Sequence, residues 1–434
     1  MPWRRADGRT GRRAAPRSRT SEAPRGFLRD TLSRRVRPTA RRDSRQTTFA
    51  NAHSLRHRFA AARCSIGSRR ARRVRASLSI AMALAWFESR LRALDLRRVV
   101  ESDDGERLEV TFAPAPRGIW RVAQFAWGFA LVHYIFYGVL VALAAYLARD
   151  STLARVLAAL AAIAYQPSFW DGSERKLGRP WDALRTHPIW TLSQAYFPVR
   201  LLRLKALDPA RKYVFGWHPH GILILSRIHV YGGVWERMFP GVPFRVLGAS
   251  PMFRMPLCRE ICLWMGAVDA GRATASRALD EGISVVVYPG GSREIFDTDP
   301  NSTETKIYLT KRRGFVRLAM RHGADLVPVF VFGEKRCYRR LNVPVGVRDW
   351  LLRALKIPLI VFWGRGFTWY PMAAPQTCVF GEPIPTGRKR AGGEEPTEEE
   401  VAKMHAKYVD AVVRLFEEHK EAAGYGPEET LRVI

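Results

Sequence analysis

The chain has 434 residues, enough to bury a large core, and a formal net charge of +31 that is unevenly distributed. Residues 1–75 contain 23 Arg, no Lys and 4 acidic residues and carry +19, and the remaining residues carry +12. Five scattered cysteines, an odd number without metal-ligand spacing, indicate reduced thiols and exclude a disulfide-rich secreted scaffold.

Residues 1–75 are rich in Arg, Ser and Thr and poor in acidic residues and apolar runs, so we predict a disordered extension. Three interpretations compete: an organelle transit peptide, a solvated basic tail, or sequence upstream of a true start at Met82. In each case its removal should leave the chemistry of the protein intact. Aromatic residues do not alternate with the arginines, so we expect no specific nucleic-acid binding.

Two patterns after the extension indicate contact with a membrane. Within the linker segment 76–119, residues 83–100 have the spacing of an amphipathic helix, either interfacial or on a soluble surface. Residues 122–148 contain no charged side chain and would span ~40 Å as a helix, more than the ~30 Å hydrocarbon layer. The shorter apolar run 153–165 predicts a return arm. We therefore predict a membrane hairpin over 120–166 with both basic flanks in the cytosol.

Residues 167–426 predict a globular α/β domain, a mixed sheet covered by helices. Strands are expected at 213–215, 244–247, 283–288 and 326–332, and helices at 274–281, at 311–322, and from a Thr397–Glu400 capping box to about 423. The very apolar stretch 349–370 fits a core strand and a membrane-contacting surface equally. Residues 427–434 are predicted to be a C-terminal tail.

A pair of histidines lies in a tight loop after the predicted strand 213–215. His218 and His220 flank Pro219, and Gly216 and Gly221 bracket the loop. Because histidine titrates near neutrality, a histidine in a loop after a core strand is typical of a general base. Packed core histidines are one alternative. A metal site is another, although no nearby Cys or carboxylate completes a ligand set.

A histidine base needs an orienting acid, and none follows within the same loop. The preferred donor is Glu294, which comes after the strand 283–288 and the turn Pro289-Gly290-Gly291. That turn is expected to expose backbone N–H groups. Glu260 and Glu334 are alternative donors, and a surface-loop position for Glu294 is the alternative interpretation.

Several motifs in order resemble the type-2 diacylglycerol acyltransferase family, which includes monoacylglycerol and wax-ester acyltransferases, over residues 122–426. They are Tyr196-Phe197-Pro198; His218-Pro219-His220-Gly221; Pro289-Gly290-Gly291 with Glu294; the block from Arg313 to Glu334; Phe380-Gly381-Glu382-Pro383-Ile384; and His405 with Tyr408, Leu415, Phe416 and Lys420. The glycerolipid acyltransferases with a His-x4-Asp motif keep the acid on the histidine loop. Here Ile222 and Ile224 stand at the corresponding positions.

The resemblance implies a glycerolipid-acyltransferase-like fold and transfer of a fatty acyl group from acyl-CoA to an acylglycerol hydroxyl, with diacylglycerol as the preferred acceptor. It also implies a location at the endoplasmic reticulum membrane and lipid droplets, with the catalytic domain in the cytosol. If residues 1–75 are a transit peptide, a plastid is the alternative location. Monoacylglycerol, wax-alcohol and lysophospholipid acceptors, and a membrane-anchored lipid-binding scaffold without activity, are the alternatives. No cofactor is expected because acyl-CoA is a substrate. The lipid bilayer is an expected partner, and homo-oligomer formation is left open.

In the mechanism that this resemblance suggests, His220 takes the acceptor proton, Glu294 orients its ring, and His218 shapes the loop. The Gly290 and Gly291 amides would stabilise the oxyanion, and Gly221 would allow the loop to turn.

The expected substrate contacts are Tyr196, Phe197, Pro198, Arg293, Lys311, Arg312 and Arg313. The basic residues 311–313 would hold CoA phosphates, although a solvated basic face is an equal interpretation. Arg293 matches the arginine that holds the acceptor phosphate in lysophosphatidate acyltransferases, whereas the other motifs favour a neutral acceptor.

Overall fold

The computed structural model describes residues 69–94, 96–341, 346–347, 360–389 and 394–434. Residues 1–80 and 81–434 form separate units. The predicted disordered extension therefore lies outside the described residues, except for 69–75. These residues begin the first described helix, α1 (Arg69–Arg92).

The helix predicted over 83–100 ends at Arg92, and the prediction is wrong for its last residues. Arg97–Glu101 form a strand, β1, which pairs antiparallel with β2 (Leu108–Phe112). Val99 and Val100 are β-branched and favour the extended backbone, and the ladder to β2 supplies their backbone hydrogen bonds. Both strands join the main sheet through β2, so much of the segment 76–119 is part of the folded domain.

The predicted membrane helix is confirmed as an apolar helical segment from Ile119 to Leu147. It consists of α2 (Ile119–His133), a tight 3-10 turn (Tyr134–Phe136) and α3 (Tyr137–Leu147). In the described part of the chain, it is the one helix long and apolar enough to cross a membrane. After the loop 148–151, α4 (Thr152–Trp170) follows, with Ser151 capping its first turn. The return of this second arm through the bilayer stays a prediction.

A nine-stranded mixed sheet forms the centre of the domain, as predicted. Besides β1 and β2, its strands are β3 (Val199–Arg203), β4 (Tyr213–His218), β5 (Phe244–Gly248), β6 (Ala267–Asp269), β7 (Ser284–Val287), β9 (Asp325–Phe332) and β12 (Gln376–Phe380). The order of the strands across the sheet is β1-β2-β3-β12-β9-β4-β7-β5-β6. The five strands from β9 to β6 run parallel, and β12 is antiparallel to β9.

Two small sheets and a series of helices complete the domain. β8 (Glu304–Ile307) pairs with β13 (Thr430–Val433), so the predicted tail contains a strand, and β10 (Arg339–Arg340) pairs with β11 (Phe362–Trp363). The helices are α5 (Asp182–Arg185), α6 (Trp190–Tyr196), α7 (Val234–Met238), α8 (Cys258–Trp264), α9 (Arg272–Asp280), α10 (Ser292–Asp297), α11 (Gly314–His322) and α12 (Glu398–His419). The predicted Thr397–Glu400 capping box is present. Much of the stretch 349–370 lies outside the described residues.

The sheet separates two apolar clusters, and β4 contributes to both. Tyr213, Phe215 and Trp217 pack in one cluster, and Val214 packs in the other together with Tyr408 of α12. This alternation follows from the two-residue period of a strand. His218 lies four residues after Val214 in the same strand, so its side chain points to the same face of the sheet and toward α12. The four cysteines in the described ranges are buried and unpaired.

Candidate active site

The histidine loop and the acidic residues that follow β7 and β9 meet at one edge of the sheet. β4 lies between β7 and β9 and is parallel to both, so the three strands end on the same side. Open α/β sheets collect ligand sites outside the carboxyl ends of their strands. The strands that precede His220 and Glu294 were predicted to be neighbours in the sheet, and the pairing of β4 with β7 confirms this.

His218 is fully buried and is held by the last long helix. Its Nε2 lies 3.0 Å from the hydroxyl of Tyr408, which donates its single proton to the Gly216 carbonyl at 3.0 Å. His218 must therefore donate from Nε2, which leaves a lone pair on Nδ1, an atom without a partner among the described residues. Burial lowers the pKa of His218 to about 3, so the ring is neutral. This geometry fits a loop-shaping role.

His220 is only partly buried and has the opposite tautomer. Its Nδ1 lies 3.0 Å from the Gly221 carbonyl, which can only accept a proton. Nδ1 therefore carries the hydrogen, and the lone pair on Nε2 is left without a hydrogen-bond partner in the described part of the chain. Burial, and secondly Arg227, lower the pKa of His220, so the ring is neutral at neutral pH. A neutral imidazole with a free Nε2 has the protonation state of a general base.

Glu294 lies beside His220 but contacts its backbone, and the predicted contact with the ring is wrong. One carboxylate oxygen accepts the His220 N–H at 2.6 Å, and the other accepts the Tyr308 N–H at 2.9 Å. The reason is that α10 places this side chain, which is 1% exposed, beneath the histidine loop. Burial raises the pKa of Glu294 to about 7, although the hydrogen bonds from the two amides and the charge of Arg312 act to lower it. Glu294 thus holds His220 through the main chain, and Gly221 fixes the ring tautomer.

The two glycines of the turn have different roles. A Cβ on Gly290 would overlap the Glu294 carboxylate, so only glycine lets Glu294 fold back under the loop. Gly291 has a positive φ of 59°, and its N–H already donates to the Tyr288 carbonyl at 3.1 Å. Its predicted role as an oxyanion donor is therefore wrong, because the proton is engaged in the turn. The Gly290 N–H has no acceptor among the described residues and stays the candidate donor.

Glu334, weighed as an alternative partner for the histidines, holds the next loop. It is 3% exposed, and one of its carboxylate oxygens accepts the backbone N–H groups of Leu225 and Ser226. These amides begin the 3-10 helix Leu225–Val230. Burial raises the pKa of Glu334 to about 7. The other alternative, Glu260, forms ion pairs elsewhere with Arg179 and Arg259.

The predicted substrate residues fall into two groups. Tyr196 donates to the Pro371 carbonyl at 2.6 Å, Phe197 is 3% exposed, and Pro198 is exposed. Tyr196 and Phe197 line an apolar cavity between α2 and the 3-10 helix.

The basic group is exposed, and one of its members lies near Glu294. Lys311, Arg312 and Arg313 are solvent-accessible, and Arg312 is close enough to lower the pKa of Glu294. Arg293 points outward over the Tyr308 ring, with 5.8 Å between the guanidinium carbon and the ring centroid. In the described ranges, no three His, Cys, Asp or Glu side chains converge as metal ligands.

Sequence reasoning missed the role of one residue and the presence of two others in the site. Tyr408 belongs to the motif of the last helix, but nothing in the sequence indicated its hydrogen bond to His218. Arg227 interrupts the apolar run 222–230, and this single charge was the available signal. Tyr288 closes the predicted strand 283–288 and contacts the His220 ring, with ring centroids 5.7 Å apart.

Comparisons with known proteins found a matching family model and several related enzymes. A family model described as diacylglycerol acyltransferase matches residues 151–434. Human 2-acylglycerol O-acyltransferase 3 is 36% identical over 272 residues, which cover 59% of this chain and 78% of the relative. Diacylglycerol O-acyltransferase 2 of Xenopus tropicalis is 33% identical over 277 residues (60% and 75%), and its human counterpart is 32% identical over 276 residues (60% and 70%).

No solved structure matches the chain significantly. The family model covers more than half of the chain, and the related acyltransferases align along most of their own length. The apolar helix Ile119–Leu147 is consistent with a membrane-associated enzyme. The chain belongs to the diacylglycerol acyltransferase family and is an acyltransferase.

Proposed function

We propose that this enzyme transfers the acyl group of acyl-CoA to the free hydroxyl of diacylglycerol, with His220 as the general base. The observation that carries the proposal is the free Nε2 of a neutral His220, whose tautomer is fixed by the Gly221 carbonyl. Monoacylglycerol is the second candidate acceptor, because a relative named 2-acylglycerol O-acyltransferase 3 is 36% identical to the chain.

The reaction proceeds directly between the two bound substrates. His220 Nε2 removes the proton of the acceptor hydroxyl as its oxygen attacks the thioester carbonyl carbon. The Gly290 N–H donates to the developing oxyanion. The carbon–sulfur bond then breaks, and the CoA sulfur leaves with the proton that His220 holds. The Gly221 carbonyl stabilises the imidazolium formed in between, since its hydrogen bond favours the charged ring.

The substrates reach His220 from two sides. Lys311, Arg312 and Arg313 lie exposed near Glu294 and are suited to the phosphates of CoA in the aqueous phase. The lipid acceptor arrives from the side of α2, whose apolar side chains are exposed. The reaction needs no cofactor. We place the enzyme at the endoplasmic reticulum and lipid droplets with the catalytic domain in the cytosol, or in a plastid if residues 1–75 act as a transit peptide.

An acyl-transfer assay on membranes, with labelled acyl-CoA and a panel of acceptors, tests the proposal. His220→Ala should lower transfer to diacylglycerol at least about 100-fold. His218→Ala should lower it less, through the loop geometry. His187→Ala, at a partly exposed histidine beside Glu88, is the matched control and should leave transfer unchanged. Near-normal turnover by a folded, membrane-inserted His220→Ala protein would refute the assignment.

A further inference from the structure

Arg227 forms no ion pair within the described residues, although it lies close enough to Glu334 to lower the pKa of that carboxyl. It lies in the 3-10 helix Leu225–Val230, immediately after the two amides that Glu334 holds. Among the described residues, no carboxylate lies within ion-pair distance of its guanidinium. Its guanidinium donates to the hydroxyl of Tyr134, on the membrane segment, at 3.0 Å, which is its one hydrogen bond in the described part of the chain. A guanidinium carries five N–H donors, so most of them are available to a ligand.

A second donor next to Arg227 also lacks a partner. The Tyr288 hydroxyl is buried and makes no hydrogen bond among the described residues, although buried hydroxyls are normally paired. Burial raises the pKa of Tyr288 well above its ordinary value, and Arg227 lies close enough to oppose that rise. The hydroxyl of the neighbouring Tyr231 is not available to a ligand, because it donates to the Met265 carbonyl at 2.7 Å.

These two donors lie beside the candidate base on the side of the membrane segment. The Tyr288 ring contacts the His220 ring edge-on, and Tyr134 joins Arg227 to the apolar helix. The CoA phosphates are expected near Arg312, next to Glu294. The free donors of Arg227 and Tyr288 therefore face the substrate that comes from the lipid.

We propose that Arg227 and Tyr288 bind an ester carbonyl oxygen of the acylglycerol acceptor and so place its hydroxyl at His220. This inference rests on the proposed function and names the group of the acceptor that is recognised. The carbonyl is an acceptor without charge, which suits two donors in a largely desolvated site. An acceptor without an ester, such as a dialkylglycerol, leaves both donors unpaired and binds more weakly.

A comparison of 1,2-diacylglycerol with 1,2-dialkylglycerol, which keeps the hydroxyl and the chains but lacks both carbonyls, tests the proposal. The wild-type enzyme in mixed micelles should show a kcat/KM for the diacyl acceptor about 10- to 100-fold above that for the dialkyl acceptor. Arg227→Gln should remove most of this preference by lowering only the diacyl value. Its KM for acyl-CoA should not change.

Two further variants separate recognition from folding. Tyr288→Phe removes a hydroxyl that has no partner, so it should keep or raise thermal stability while reducing the diacyl preference about 3- to 10-fold. Arg237→Gln, at an exposed arginine paired with Glu101, is the matched control for Arg227→Gln and should keep the full preference.

Three results would overturn the inference. A wild-type enzyme that uses both acceptors equally has no ester recognition. If Tyr288→Phe lowers kcat/KM equally for the diacyl and the dialkyl acceptor, the hydroxyl acts in the chemical step and not in ester recognition. Preferred use of lysophosphatidate that Arg227→Gln abolishes assigns Arg227 to a phosphate. Failure of the proposed function looks different, since the wild type would then acylate neither 1,2-diacylglycerol nor 1,2-dialkylglycerol.

Discussion

The buried carboxylate of Glu294 should make the stability of the protein depend on pH in a way that Glu294→Gln removes. Burial raises the pKa of Glu294 from 4.5 to about 7 in the folded state. As pH rises, the unfolded state therefore loses this proton first. Between pH 4.5 and about 7 the folded state still holds the proton, so the free energy of unfolding falls. The contribution of Glu294 to stability is present below pH 4.5 and is lost as pH rises to about 7. A shift of this size corresponds to about 3 kcal/mol.

Unfolding of the detergent-solubilised protein, followed at several pH values for the wild type and for Glu294→Gln, measures this effect. Glu334 also has a raised pKa, but both proteins contain it, so its contribution cancels in the difference. Gln can accept only one of the two amide hydrogen bonds, so the variant should be less stable at pH 4.5. The difference in unfolding free energy between the wild type and the variant should shrink by about 3 kcal/mol as pH rises to 7. A difference in unfolding free energy that does not change with pH would refute the assignment of a desolvated carboxylate.

Three further predictions follow from the site and the membrane segment. Tyr408→Phe leaves the His218 Nε2 hydrogen without its acceptor, so unfolding measurements should show a loss of about 1–3 kcal/mol for each buried group left unpaired; unchanged stability would contradict the hydrogen bond. Gly290→Ala should lower acyl transfer about 100-fold by displacing the loop, whereas Gly346→Ala, whose new Cβ would meet no described atom within 4 Å, should have no effect. Tags placed before and after 120–166 should report the same side of sealed microsomes by protease protection, and opposite sides would rule out a hairpin.

Much of the fold could be predicted because it depends on local patterns. The apolar runs 244–247, 283–288 and 326–332 became strands within a residue or two, since buried parallel strands have continuous apolar sequences. The capping box at Thr397 placed the last helix. β1 was missed because its charged residues gave no alternating pattern, and its partner strand β2 supplies the ladder that fixes it.

The site was predictable to the level of loops and not to the level of hydrogen bonds. The glycines and strand ends placed His220 and Glu294 at one sheet edge. The hydrogen-bond partners of the Glu294 carboxylate depend on the direction of α10, and tertiary packing sets that direction. Arg227 and Tyr288 were missed for a related reason. The missing ion pair of Arg227 and the unpaired hydroxyl of Tyr288, both among the described residues, become visible only when their neighbours are known.

The hydrogen bond between His218 and Tyr408 bears on how the enzyme matures during synthesis. A ribosome that has made residues 1–400 has already made His220, Glu294 and Glu334. At that point His218 still lacks the acceptor for its Nε2 hydrogen, and the sheet lacks the helix that covers one face of it. The nascent chain should therefore expose an apolar sheet face in addition to its exposed membrane segment, which favours early engagement by the membrane or by chaperones. Catalytic competence should appear in one late step, when the last helix docks.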